Sequence, residues 1–159
     1  MTNNLIYGLI LYSALGSGLM AGVFFIFSNT IMASLAQLPV SQGITAMQHI
    51  NRIILNPLFF IVFLGTAVAT FLLAANLPGH WQQPSSQYLL VGCLCYLVGA
   101  LLVTMIFNVP MNNTLKAEDP QTTQAAELWA TYLKNWTFWN HVRGVASFFA
   151  AVFFILALK

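Results

Sequence analysis

The sequence predicts an all-α integral membrane protein: a four-helix up-and-down bundle with amphipathic cap helices in the first and third connectors. Three observations predict it. Only 5% of the 159 residues are charged and 59% are hydrophobic, whereas a soluble domain carries about 25% charged residues, so this chain cannot cover a water-facing surface. Four stretches are long enough to cross a hydrocarbon core, which takes about 20 mostly apolar residues of helix. Those stretches are apolar on every face and do not alternate apolar with polar, so helices are predicted and not the strands of a membrane barrel. One domain, residues 1–159, accounts for the length.

The first predicted span, residues 5–27, carries no charge. It reads as a retained helix and not a cleaved signal. Met1-Thr2-Asn3-Asn4 has no Lys or Arg, and the run is longer than a signal's apolar region of roughly 7–15 residues. Ala14, Gly18, Ala21 and Gly22 form a stripe of small residues, the kind that lets helices approach closely in lipid. Asn29 falls on the extension of that stripe at about 100° per residue, so it is expected to face the bundle interior. Gly18 and Gly22 are read as packing within the chain, which leaves a homo-oligomer open.

In the first connector Ile44, Met47, Ile50, Ile54 and Leu55 recur at helical spacing, and Pro57 marks the end. The second span covers residues 58–75, and the connector after it reads as a turn through Asn76, Pro78, Gly79, Pro84, Ser85 and Ser86. The third span, residues 88–107, contains Cys93 and Cys95, which lie about 200° apart and so cannot bridge each other or grip one metal. Asn108 lies off the face of Gly92 and Gly99, and Pro110 is expected to break the helix. In the third connector Leu128, Trp129, Tyr132, Leu133 and Trp136 again recur at helical spacing, which predicts the second cap helix over 122–136. In the fourth span, residues 137–158, Gly144, Ser147 and Ala151 make a small-residue stripe that Asn140 continues, with His141 and Arg143 on either side of it.

Arg52, Lys116, Lys134 and Arg143 fall on the side of the first and third connectors, the cap side, and Lys159 on the other. The excess of positive charge predicts a cytoplasmic cap with both termini outside. The formal net charge of +2 and the lack of a basic run exclude a nucleic-acid partner. The chain has no Gly-rich phosphate loop, no serine nucleophile elbow and no paired intramembrane carboxylates. That excludes a nucleotide enzyme, a serine hydrolase and a carboxylate-driven pump.

An ionisable residue inside a membrane is a functional candidate by default. In Trp139-Asn140-His141-Val142-Arg143, Arg143 can hold an anion or an enolate oxygen and His141 can accept a proton near neutral pH. The plain alternative has Arg143 reaching to lipid headgroups and His141 capping a carbonyl. In Asn108-Val109-Pro110-Met111-Asn112-Asn113 the asparagines can orient a carbonyl or a water, or merely form the turn of a helix exit. Gln48-His49-Ile50-Asn51-Arg52, with Asn56, is a third polar candidate for chemistry or the wet face of a surface helix. Trp81, Trp129, Trp136 and Trp139 suit an aromatic belt, and Trp136 with Trp139 could wall a flat aromatic ligand. A haem or copper ion held between His49 and His141 is the metal alternative.

Four segments, GVFFIFSNTIMASLAQLP, AMQHINRIILNP, FNVPMNNTL and WTFWNHVRGVASFFAA, resemble the anthrone-oxygenase-like family of small four-helix membrane proteins over nearly the whole chain. The FNVPxN and WxxWNHVR strings are the specific part. The resemblance implies oxidation of a lipophilic aromatic or phenolic substrate by molecular oxygen, as in fungal members that turn anthrones into anthraquinones, with no metal or flavin required. Many bacterial members have no assigned activity, and this chain looks more like those. The motif positions carried over are Gln48, Asn51, Asn108, Pro110, Asn112, Trp136, Asn140, His141 and Arg143. His49 departs from the pattern, which has a small residue there. The expected catalytic set is therefore His141 as base with Arg143, Asn140, Asn108 and Asn112. The expected substrate contacts are Asn29, Gln48, Asn51, Trp136 and Trp139. The expected partners are a lipophilic small molecule and membrane lipid. A binding or transport module for a quinone or sterol, a haem or metal protein, and a structural membrane subunit are the other readings.

Overall fold

The computed structural model describes residues 3–82 and 85–159, His80 by its backbone alone. Five helices carry the fold: α1 (Asn3–Leu35), α2 (Val40–Ile53), α3 (Pro57–Asn76, followed by a 3₁₀ turn Leu77–His80), α4 (Ser85–Ala117) and α5 (Thr123–Ala157). No strand occurs among the described residues. Four of the helices, all but α2, are long and apolar enough to cross a membrane, so the chain is an all-helical, multi-pass membrane bundle. Pro84, expected in the turn between α3 and α4, lies outside the described residues.

The helices differ from the sequence expectation in how far they run. The second cap helix is not a separate element: residues 122–136 open α5, one helix of 35 residues. Thr122 starts it, its hydroxyl accepting from the Ala125 amide at 3.1 Å, and neither glycine nor proline interrupts it before Gly144. At 1.5 Å per residue α5 is about 52 Å long, against about 30 Å of hydrocarbon, so it is longer than a single crossing needs. Likewise α4 does not end at Pro110 but continues to Ala117. The proline stands two residues past the end of a π-helical turn, Thr104–Asn108. Such a turn shifts the hydrogen bonding where the ring would otherwise clash and a donor is missing.

The π turns also account for Asn108. At about 100° per residue it should stand about 160° from Gly92, yet it is fully buried. Two π stretches, Cys95–Leu102 and Thr104–Asn108, intervene. Each takes up an extra residue and sets the face back by about 100°, which returns Asn108 to the bundle.

The buried face of α1 is Ser13, Ser17, Met20 and Phe24, not the stripe of Gly18 and Gly22, which are exposed. Close approach to α3 is made instead at Gly16, where a Cβ would run into the Thr66 side chain, and at Gly65, which faces the Tyr12 hydroxyl. That hydroxyl donates to Ile61 O at 2.7 Å. Between α4 and α3, the Tyr96 hydroxyl donates to Phe63 O at 2.9 Å. α1 makes its most extensive contact with α5.

Two apolar cores result. One fills the bundle around Phe63, Tyr96 and Phe154. The other lies in the cap, where α2 lays Ile44 and Met47 against Leu35, Leu115 and Trp129. Gly43 allows this: a Cβ there would meet Leu35 O at 2.9 Å and the Trp129 ring at 3.1 Å. Asn56 then opens α3 by accepting from the Phe59 amide at 3.0 Å, with Pro57 in the first turn.

Candidate functional site

The polar centre is one turn of α5. Asn140 is 1% exposed. Its amide donates to Phe24 O at 2.6 Å and to the Ser28 hydroxyl, and its carbonyl oxygen accepts from Arg143 Nη2. A buried amide with its donors and acceptor all engaged stabilises one arrangement of α1 against α5. Arg143 is 6% exposed. Its Nη1 donates to Thr104 Oγ1 at 3.3 Å. The guanidinium carbon lies 4.3 Å from the Phe24 ring centroid and 5.2 Å from that of Trp136, so aromatic faces offset part of its desolvation. No carboxylate does so. The chain's three acids are Glu118, Asp119 and Glu127, and no ion pair with Arg143 occurs among the described residues. Its Nε has no hydrogen-bond partner there either.

A second polar group stands toward the cap. Asn112 Oδ1 accepts from the Tyr132 hydroxyl and from Trp136 Nε1, both at 2.8 Å, and Asn51 donates to the Tyr132 hydroxyl at 3.4 Å. Gln48 donates to Leu115 O at 2.8 Å and Glu118 O at 3.0 Å. α2 is thus tied to the end of α4.

These groups surround a cavity of about 480 Å³, within the roughly 300–1,000 Å³ typical of small-molecule sites. Val23, Phe24, Phe27, Phe59 and Trp136 are among the apolar wall; Gln48, Asn51, Thr104, Asn112, Asn140 and Arg143 supply polar groups; His49, Arg52, Asn113 and Lys116 line it at exposed positions. A second, more apolar groove of about 450 Å³ runs between α1 and α5 past Gly18, Gly22, Phe25, Gly144 and Phe148, reaching Ser28 and His141. Phe24 and Asn140 border both spaces.

Of the residues expected at the site, Gln48, Asn51, Asn112, Trp136, Asn140 and Arg143 come together on one cavity. Four do not. His141 is exposed and faces the second groove, because it and Arg143 are two residues apart on a helix and diverge by about 200°. Asn29 is exposed, since it shares the outward face of Gly22 seven residues before it. Asn108 is buried away from the cavity and donates to Trp136 O at 3.2 Å. Trp139 lies flat on Phe107, ring centroids 3.6 Å apart. The pairing of His49 with His141 that a haem or copper would need is not formed, since the two rings line different spaces. Among the described residues no cluster of three or more His, Cys, Asp or Glu could hold a metal.

Sequence reasoning missed Tyr132, Thr104 and Ser28. Tyr132 stands four residues before Trp136 and shares its face, a signal absorbed into the amphipathic stripe. Thr104 and Ser28 carried no signal of their own.

Comparison with known proteins adds one finding. A family model described as anthrone oxygenase matches residues 47–153, from within α2 to near the end of α5. No curated protein and no solved structure matches the chain.

Proposed function

The chain belongs to the anthrone oxygenase family, and on that premise we propose that it is a membrane-embedded oxidoreductase that oxidises a lipophilic aromatic or phenolic substrate with molecular oxygen in the 480 Å³ cavity. The observation that carries this reading is Arg143: a buried cation with no carboxylate, facing an aromatic-walled space. Such a group suits an oxygen that gains negative charge during reaction.

In an anthrone-type substrate the ring methylene is acidic through conjugation with the carbonyl. Loss of one proton leaves an enolate, whose oxygen Arg143 holds. Asn140 fixes Arg143 by accepting from Nη2, and Phe24 and Trp136 hold the flat body. The electron-rich carbon reduces oxygen and bonds to it, and the hydroperoxide loses water to leave a second carbonyl. One O₂ is consumed, with one oxygen atom kept and the other released as water. The substrate supplies every electron, so this balance requires no cofactor.

The proton acceptor is His49, the imidazole on this cavity, in place of His141. Its Nδ1 lies 2.7 Å from Arg52 Nη2, so acceptance at that nitrogen follows release of Arg52. The cap, richer in positive charge, is assigned to the cytoplasm.

The test is oxygen uptake and quinone absorbance with an anthrone, using the full chain in lipid nanodiscs. Arg143→Gln should lower kcat/KM by about 10²–10³-fold, the usual loss when one donor to a developing oxyanion is removed. No uptake by the native protein would replace this reading with that of a binding or transport module.

A further inference from the structure

We infer that the substrate of this cavity is itself an acid: a planar aromatic body bearing an ionised carboxylate, which Arg52 and Lys116 read at the mouth. The inference rests on the cavity being the aromatic site described above and names the substrate class within it.

Charge placement is the first argument. The chain has five Lys and Arg residues and three acids. Arg52, Lys116 and Arg143 all line the one cavity, and none of the acids does. With so few charges in the chain, three cations around one cavity with no acid in its lining make a strongly positive recess bounded by apolar walls, where a field acts at longer range than in water.

Depth is the second. Arg143 is buried with an unpartnered Nε, whereas Arg52 and Lys116 are exposed. The cations therefore form two tiers, one inside and one at the open end. A neutral ketone would use only the inner tier. A carboxylate carried on the far side of a flat ring system uses the outer tier while the reacting carbonyl meets Arg143.

The third is the present partner of Arg52. Its Nη2 is held by a ring nitrogen, His49 Nδ1, and not by a carboxylate. An arriving carboxylate makes a stronger, charge-assisted contact and draws Arg52 to itself. The same move uncovers His49 Nδ1, the nitrogen assigned to accept the substrate's proton.

The experiment compares two fluorescent probes of nearly equal size, anthracenecarboxylate and neutral anthracenemethanol, binding to the full chain in phosphatidylcholine nanodiscs. The carboxylate should bind about tenfold tighter, as suits a charge-assisted contact at a half-open site, and the preference should shrink in high salt. The Arg52→Gln, Lys116→Gln double variant should lose the preference, and an unfolding midpoint in detergent equal to the native protein's reports that it is folded. Equal binding of both probes by the native protein overturns the inference, as does a preference that survives in the double variant. If phosphatidylglycerol in the disc abolishes the preference, the outer cations serve lipid headgroups and the inference also fails. Anthrone turnover separates the two levels: equal probe binding with turnover intact sinks only the acid requirement, and failure of both probes to bind sinks the aromatic site with it.

Discussion

Asn140 stands one residue before His141 and three before Arg143, and this spacing decides which of them enters the larger cavity and which the outer groove. One step along a helix turns about 100° and three turn about 300°, so the two side chains leave Asn140 in opposite directions. Arg143 enters the cavity and His141 the outer groove. His141→Gln should therefore leave anthrone oxidation within about threefold of native, while His49→Gln should lower it by about 10-fold or more, toward the 10²-fold typical of a positioned base; initial rates of quinone formation decide. The reverse ranking would return the proton to His141. At this scale the motif residues on α2, the end of α4 and α5 were legible, because polar side chains in an apolar chain have few places to go. What the sequence could not convey was direction. Asn108 serves a backbone carbonyl and Trp139 serves Phe107, uses that composition and spacing do not separate from ligand binding.

Helix existence was plain from apolar length, and helix ends were not. The polar turns that open α5 and close α4 looked like surface connectors because hydropathy falls there, yet both helices run on through them, α4 past Pro110. The π turns were invisible, since a period of 3.6 residues assumes that none occurs, and they are what brings Asn108 inward. Close packing also sits one face away from the most obvious glycines. Gly16→Ala should cost about 1–3 kcal/mol, because Thr66 occupies the space a methyl group needs. Gly22→Ala, with nothing within 4 Å of the new atom, should stay within about 0.5 kcal/mol. Unfolding midpoints of the two variants in mixed detergent would test the contrast; equal losses would mean that α1 packs by its other face.

On the scale of the molecule, an apolar bundle core and a cap core are stacked along the same long helices. The cavity lies where they meet, so its walls come from both: Phe24 and Phe59 from the bundle, Gln48 and Asn51 from the cap helix. The site therefore carries the exposed Arg52 and Lys116 at its rim and aromatic surface from Phe24, Phe59 and Trp136 within. Orientation follows from charge in the proposed arrangement. A cysteine placed at Lys116 should react with a membrane-impermeant maleimide in everted vesicles and not in right-side-out ones, over a small background from Cys93, which is buried, and Cys95, which is half-buried. Labelling only from the outer face would invert the topology. Sequence reasoning anticipated the bundle and the clustering of polar groups at one end, because both follow from what lipid excludes.

The contact between Asn140 and Phe24 spans 116 residues and has a consequence for biogenesis. Of the four spans, α1 leaves the ribosome first and α5 last, yet α5 is the main partner of α1. α1 must wait in the bilayer with its principal face uncovered through the synthesis of everything between. α5 arrives carrying Arg143, whose insertion alone costs about 2.5–3.5 kcal/mol at mid-helix, and it finds the groups that stabilise that charge already in place on α1 and α4. Closure of the bundle is thus the final event of synthesis. A chain halted at Thr122 should be cleared by membrane proteases far faster than the full chain in a pulse-chase, and α5 supplied as a separate polypeptide should protect it.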